Sequence, residues 1–92
     1  MGLDTVEIVM ATERAFGVQI SSADAAQCRT VGDLHRCVMR LLAERYQRDG
    51  LGLIVDPETS WNLLVPLIVE HTGLRPEQIR PDAEWGRDLG ID

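Results

Sequence analysis

Helix start and stop signals constrain the fold of this sequence more than any other feature. They bound four segments that carry apolar residues at helical spacing, at about 4–16, 22–27, 30–48 and 57–72. A chain of 92 residues buries enough surface for one hydrophobic core and has little to spare for a second. The sequence therefore predicts a single all-α domain over residues 1–92.

The first segment predicts a helix that Gly17 ends. Asp4 and Glu7 have the spacing of a capping box at its start. The apolar stripe at helical spacing, which we expect to face the core, consists of Leu3, Val6, Val9, Met10 and Ala15 or Phe16.

The other three helices begin at recognisable caps. Residues 21–24 (Ser-Ser-Ala-Asp) start a short helix, and Thr30 caps the next one. Residues 56–58 (Asp-Pro-Glu) supply a cap, a proline at the first position and an acid in the first turn. Pro66 lies well inside this last segment, so we expect either a kink or a helix that begins near Val65.

The net charge of −6 arises in the second half of the chain. Residues 1–48 hold six acidic residues and six arginines, whereas residues 49–92 hold nine acidic residues and three arginines. Such a chain repels nucleic-acid backbones, so we expect no nucleic acid and a protein partner with a basic surface. No apolar run approaches the ~20 residues that cross a bilayer, and no secretion signal is present. We therefore expect a cytoplasmic protein without a membrane partner.

The chemistry-bearing residue types form no catalytic or metal-binding pattern. Cys37 falls on the apolar face of the third helix and predicts a reduced core thiol, with a disulfide or a reactive thiol as the alternative. His35 and His71 stand alone, which favours surface or helix-end roles over metal binding. No nucleophile has a base at a suitable spacing, so we predict no catalytic residue, no metal site and no enzymatic activity.

Both halves of the sequence resemble an acyl carrier protein, in the wrong order. Residues 3–20 (LDTVEIVMATERAFGVQI) are similar to the second helix of that family and the segment after it, and residues 21–34 (SSADAAQCRTVGDL) resemble its third helix and the start of its fourth. Residues 65–92, which end in EWGRDLGID, resemble its first helix and long first loop. In the family that loop leads directly to an Asp-Ser-Leu attachment site.

The resemblance implies a circularly permuted four-helix bundle. The family's helices II, III and IV come first in residues 1–48, a linker occupies 49–56, and helix I with loop 1 occupies 57–92. The resemblance also implies that helix I begins at the end of the bundle where helix IV finishes. A short linker is therefore sufficient to join them. The same contacts between two molecules would give a domain-swapped dimer in place of a monomer.

The resemblance also implies that the prosthetic-group site has lost its attachment residue. Asp92 takes the place of the family's aspartate, Leu3 that of its leucine and Gly2 that of the serine that carries 4′-phosphopantetheine. Glycine has no oxygen to modify, and Thr5 lies already inside the helix. Ser21, Ser22 and Ser60 are interpreted as helix caps. We therefore expect no cofactor unless the chain is a working carrier with an unrecognised attachment residue or a serine from another chain.

In the family, acidic residues of the second helix meet basic patches on partner enzymes. Asp4, Glu7 and Glu13 occupy matching positions here, although Asp4 and Glu7 could merely cap the helix while Glu13 is solvated. Leu3, Val6 and Met10 could contact a partner or an acyl chain, and we expect two of these three to be core residues.

These implications lead to one functional expectation and two alternatives. We expect a non-catalytic interaction or regulatory module that docks on carrier-recognising enzymes such as synthases or transferases. One alternative is a working acyl or peptidyl carrier in fatty-acid, polyketide or nonribosomal peptide biosynthesis. The other is a protein that holds an acyl chain noncovalently between its helices.

Overall fold

The computed structural model describes residues 3–50 and 56–91 of the chain, with only the backbone for Leu3, Asp4 and Asp49. This part of the chain forms four α-helices and no β-strand: α1 (Leu3–Phe16), α2 (Ser22–Gln27), α3 (Val31–Asp49) and α4 (Pro57–Thr72). The predicted all-α class is confirmed. None of these helices is long and apolar enough to cross a membrane. The predicted linker falls mostly on residues 51–55, which lie outside the described residues.

The predicted end of α1 and the predicted starts of α2 and α3 correspond to observed caps, whereas α1 begins at Leu3, one residue before the Asp4 predicted to cap it. Gly17 ends α1 with a φ of +67°, a left-handed conformation that glycine adopts without steric cost. The Ser21 hydroxyl accepts a hydrogen bond of 3.1 Å from the Asp24 N–H at the start of α2. At the start of α3, Thr30 Oγ1 accepts from the Asp33 N–H at 3.0 Å, and the Asp33 carboxylate accepts from the Thr30 N–H at 3.1 Å. These bonds satisfy backbone donors that a helix start leaves unpaired.

Helix α4 is continuous through its internal proline. Asp56 caps it by accepting from the Thr59 N–H at 2.6 Å, and the helix extends from Pro57 to Thr72. The alternative that this helix begins near Val65 is therefore wrong. Pro66 is exposed and has no N–H to donate, so one turn of α4 lacks a backbone hydrogen bond.

One hydrophobic core joins the first and last portions of the chain. Trp85 and Leu89 are buried in the same cluster as Val9, and Leu41 packs against that cluster. Other members come from every helix and from the segment between α1 and α2: Ile8, Val18, Ile20, Ala25, Val31, Leu34, Val38, Leu42, Leu64 and Ile68. Residues 57–91 therefore pack on residues 5–48 of the same chain.

The tail after α4 is attached to the start of α3 by backbone hydrogen bonds. The Val31 N–H donates to Ala83 O at 3.0 Å, and the Gly32 N–H donates to Pro81 O at 2.8 Å. The Trp85 indole N–H donates to Cys28 O at 3.1 Å in the protein interior. These bonds satisfy donors of the first turn of α3 and hold Trp85 in the core.

A polar cluster pins the first turn of α4 to α3. The His35 Nε2 atom lies 2.6 Å from Ser60 Oγ and 3.1 Å from Pro57 O. The His35 and Trp61 rings pack edge to face, with their centroids 5.4 Å apart. The Ser60 hydroxyl also donates to Met39 Sδ at 3.0 Å. The predicted surface role of His35 and capping role of Ser60 are wrong, because both side chains lie between two helices and Ser60 is fully buried. His71 does lie at a helix end, 3.0 Å from Leu67 O.

The position of this cluster also corrects the expected meeting point of the two helices. The resemblance implied that α4 begins where α3 ends, yet Ser60 contacts Met39 in the middle of α3. Helix α3 continues for ten residues beyond Met39, about 15 Å along its axis at 1.5 Å per residue. Its last turns, including Tyr46, are largely exposed. The start of α4 therefore lies beside the middle of α3 and not beside its C-terminal end.

Candidate functional site

The predicted prosthetic-group site lies at the edge of the described structure. Gly2 and Asp92 fall outside the described residues, and Leu3 is described only as the first residue of α1. Their roles therefore stay predictions. Thr5 carries the nearest described hydroxyl on α1, and this residue is only 2% exposed. A modifying enzyme cannot reach a side chain buried to that extent without unfolding the helix.

Helix α1 buries a different face from the one that its apolar residues predict. The core-facing residues are Thr5, Ile8, Val9 and Thr12, at i, i+3, i+4 and i+7. The Thr12 hydroxyl donates to Ile8 O at 2.7 Å, so a polar side chain is satisfied inside the core. Val9 was predicted correctly.

Val6 and Met10 lie outside the core. They are 36% and 50% exposed, and they stand four residues apart on one side of α1. The prediction that two of Leu3, Val6 and Met10 are core residues is therefore wrong. Large apolar side chains exposed at adjacent helical positions are available to contact another molecule.

An apolar groove separates this side of α1 from α2. Its volume is about 500 Å³, within the range of about 300–1,000 Å³ that ligand pockets occupy. Helix α2 contributes only small side chains to the wall, which keeps the groove open. The lining residues are Val6, Val9, Met10, Ile20, Ser22, Ala25 and Ala26. The sequence reasoning missed the α2 wall, although the adjacent alanines in a short helix were its visible signal.

The acidic residues predicted to bind a partner have different surroundings. Glu7 is exposed on α1. The Glu13 carboxylate is half-buried and accepts a hydrogen bond of 2.8 Å from the Ile20 N–H, so it braces the loop between α1 and α2. The alternative that Glu13 is merely solvated is wrong. The side chain of Asp4 is outside the described residues.

Two buried thiols lie behind α2, away from the groove. Cys28 and Cys37 are both free and buried, as predicted for a reduced core thiol at Cys37. Burial raises the pKa of Cys28 to about 11, and the nearby Cys37 and Asp33 add to that shift. The Cys28 thiol donates to Asp24 O at 3.3 Å. A protonated, hydrogen-bonded thiol is a poor nucleophile at neutral pH, so Cys28 has a packing role.

The groove suits an apolar group better than a phosphate or a metal ion. None of its lining residues is basic, and no lining residue carries a carboxylate. Across the described part of the chain, no three His, Cys, Asp or Glu side chains converge as a metal site requires. The described residues also supply no accessible hydroxyl on α1 for the covalent attachment of phosphopantetheine. A hydrocarbon chain or an apolar side chain of a partner fits this chemistry.

Comparison with known proteins connects this site to carrier domains. A family model described as a phosphopantetheine attachment site matches residues 3–38. This segment contains α1, α2 and the first turns of α3, and it is less than half of the chain. Residues 3–38 are similar to a carrier domain. The match begins at Leu3 and includes every lining residue of the groove. No solved structure matches the chain.

Proposed function

We propose that this chain is a carrier-like module that docks on carrier-recognising enzymes through α1 and α2 and is not itself loaded with 4′-phosphopantetheine. The observation that carries the proposal is the exposure of Val6 and Met10 beside an open groove, in the segment that is similar to a phosphopantetheine attachment site. A carrier domain has no catalytic activity of its own, and we assign none to this chain.

The proposed architecture is a circularly permuted carrier bundle. In this arrangement α1, α2 and α3 correspond to the family's second, third and fourth helices, and α4 with the tail corresponds to its first helix and long loop. The burial of Trp85 and Leu89 in the same core as Val9 supports it. So do the hydrogen bonds that join the tail to the first turn of α3.

The proposed loss of loading depends on position 2. In this alignment Gly2 stands between Asp92 and Leu3 in the place of the attachment serine, and it offers no hydroxyl. Thr5 is the next hydroxyl along α1, and its burial supports the view that it cannot substitute.

An intact-mass measurement separates an unloaded module from a working carrier. The protein would be incubated with a phosphopantetheinyl transferase and coenzyme A, beside a known carrier as a positive control. We expect no change in mass. A gain equal to one phosphopantetheine group, mapped to any residue, would refute the unloaded module and support the working carrier.

A binding measurement tests the docking face. The transferase recognises carriers, so it serves as a probe partner in a calorimetric titration without coenzyme A. Met10→Ser should weaken binding at least about fivefold, because truncating an apolar anchor at an interface commonly costs more than 1 kcal/mol. Leu63→Ser is the matched control, since Leu63 is 53% exposed on α4 and does not line the groove. Equal effects of the two substitutions, or none, would contradict docking through α1.

The groove favours noncovalent acyl-chain binding as a second function. Its apolar lining and its volume of about 500 Å³ suit a hydrocarbon chain. Native mass spectrometry of protein purified from its own cells should reveal a bound lipid if this function holds. Ligand-free protein in repeated preparations would count against it.

A further inference from the structure

Apolar burial alone does not explain how α2 is held in place. The helix has six residues, and Ala25 is its one buried side chain. An alanine buries a single methyl group, so it contributes little to the free energy of packing. A helix this short is also unstable by itself in water. Its position therefore depends on polar contacts with its neighbours.

Those polar contacts connect α2 to α3. The Arg40 guanidinium lies 2.9 Å from the Asp24 carboxylate. The same guanidinium lies 3.5 Å from the Glu44 carboxylate and 3.9 Å from Cys37 Sγ, so it is held in place on α3. The Cys28 thiol donates to Asp24 O within α2 itself, so it steadies the C-terminal end of α2 without joining it to α3. All these contacts lie on the side of α2 that faces away from the groove.

The opposite side of α2 forms a wall of the groove. Ser22, Ala25 and Ala26 line it there, facing Val6 and Met10 on α1. Because one short helix provides both the wall and the carboxylate that pairs with Arg40, the two sides cannot move independently. Whatever fixes Asp24 also fixes the width of the groove.

We propose that the Asp24–Arg40 ion pair is a latch that holds α2 against α3 and so keeps the groove preformed for an apolar ligand. Arg40 is a positioning residue, since it does not line the groove. A preformed groove binds more tightly because the ordering of α2 does not occur at the moment of binding. The effect on ligand binding rests on the proposed function of the groove, whereas the latch itself can be tested without any ligand.

Amide hydrogen exchange tests the latch. The Ala25 and Cys28 amides donate to Ser21 O at 2.9 Å and to Ala25 O at 3.1 Å, so their exchange reports the opening of α2. Arg40→Gln should accelerate both by about 1.5- to 5-fold, the range expected for a partly exposed ion pair. Arg36→Gln is the matched control, because Arg36 pairs with Asp33 within α3. In the Arg36→Gln variant, the Ala25 and Cys28 amides should exchange at the wild-type rate.

A double-mutant cycle separates the pair from its surroundings. If Asp24 and Arg40 act on each other, the double variant Asp24→Asn with Arg40→Gln should exchange no faster than the faster single variant. Concentrated salt should accelerate exchange in the wild type and not in Arg40→Gln, because salt screens exposed charges. Unchanged exchange in the single variants, or effects that multiply in the double variant, would overturn the latch.

A neutral fluorescent probe then tests the effect on the groove. N-phenyl-1-naphthylamine should bind the wild type and lose about 1.5- to 5-fold in affinity in Arg40→Gln, matching the change in exchange rate. Faster exchange with unaltered probe affinity would overturn the control of the groove by the latch. Failure of the wild type to bind the probe, with exchange altered as expected, would contradict the proposed groove function and leave the latch in place.

Discussion

Gly32 is the residue at which the tail approaches α3 most closely. A Cβ atom there would lie 2.6 Å from Pro81 O, a backbone atom that cannot move without displacing the tail. Gly32→Ala should therefore lower the free energy of unfolding by about 1–3 kcal/mol despite the better helix propensity of alanine. Urea denaturation measures this change.

Gly86→Ala provides the control for that substitution. Its Cβ would meet only Ile91 O, at an ordinary distance of 3.9 Å. The free energy of unfolding should stay within about 0.5 kcal/mol of the wild type. Equal stability of the Gly32 and Gly86 variants would mean that the tail does not pack on α3 as described.

His35 makes the stability of the protein depend on pH. Burial lowers its pKa below the ordinary 6.5, and the charge of Arg36 acts in the same direction against an opposing hydrogen bond to Pro57 O. The folded protein thus keeps the ring neutral where the unfolded chain already binds a proton. The stabilisation is complete above pH 6.5 and is lost as pH falls through that value toward the lower folded pKa.

A comparison of variants separates the contribution of His35 from that of the carboxyl groups, whose protonation also changes stability at acid pH. The stability advantage of the wild type over His35→Gln should shrink between pH 7.5 and 5.5 when measured by urea denaturation. The control is His71→Gln. This variant should lose as much stability as the wild type between pH 7.5 and 5.5. An advantage that stays constant with pH would show that His35 is not buried as a neutral ring.

Residue-scale prediction from sequence was limited by satisfied polar side chains. Periodicity distinguishes only apolar from polar residues. It therefore assigned Val6 and Met10 to the core-facing side of α1 and could not assign Thr12 to that side. The bond from Thr12 to Ile8 O and the contact of Ser60 with His35 make polar burial possible, and neither is visible in a pattern. The groove was missed because Val6 and Met10, which line it, were assigned to the core.

Pro66 is a defect inside α4 that the helix tolerates. The helix continues from Pro57 to Thr72 although this residue donates no hydrogen bond. Because proline in a helix interior costs roughly 3 kcal/mol relative to alanine, Pro66→Ala should raise the free energy of unfolding by about 1–3 kcal/mol. Thermal or urea denaturation would detect it.

Pro57→Ala is the control within the same helix. Proline suits the first position, where its N–H would have no partner, so its removal should bring no gain. If Pro66→Ala is neutral or destabilising while Pro57→Ala behaves as expected, then Pro66 is required for packing and the stated cost does not apply.

Element-scale prediction succeeded at the starts of α2, α3 and α4 and failed at helix contacts. Caps depend on side chains within three residues, so Ser21, Thr30 and Asp56 were all placed correctly. The contact of Ser60 with Met39 depends on how far α3 extends beyond α4, which no local signal encodes.

At the scale of the whole molecule, one core unites portions that are distant in sequence. Trp85 donates to Cys28 O across 57 residues of chain, and both Trp85 and Leu89 share a hydrophobic cluster with Val9. The order of the family's helices was proposed from resemblance alone. The shared core supports it, and the exchange of the same contacts between two molecules stays an alternative.

A reordered chain tests the permutation and the lost attachment residue together. It consists of residues 57–92 joined directly to residues 2–48, so that Asp92, Gly2 and Leu3 become consecutive. If the permutation is right, this chain folds, and Gly2→Ser within it restores the hydroxyl at the start of α1. The Gly2 form of the same chain is the matched control.

The decisive measurement is the intact mass of both reordered chains after incubation with a phosphopantetheinyl transferase and coenzyme A. We predict a gain of one phosphopantetheine group in the Gly2→Ser form and no gain in the Gly2 form. An unmodified Gly2→Ser chain that is folded, as judged by its dispersed amide spectrum, would contradict the permuted carrier bundle and its lost attachment residue. A gain in the Gly2 form would contradict them equally.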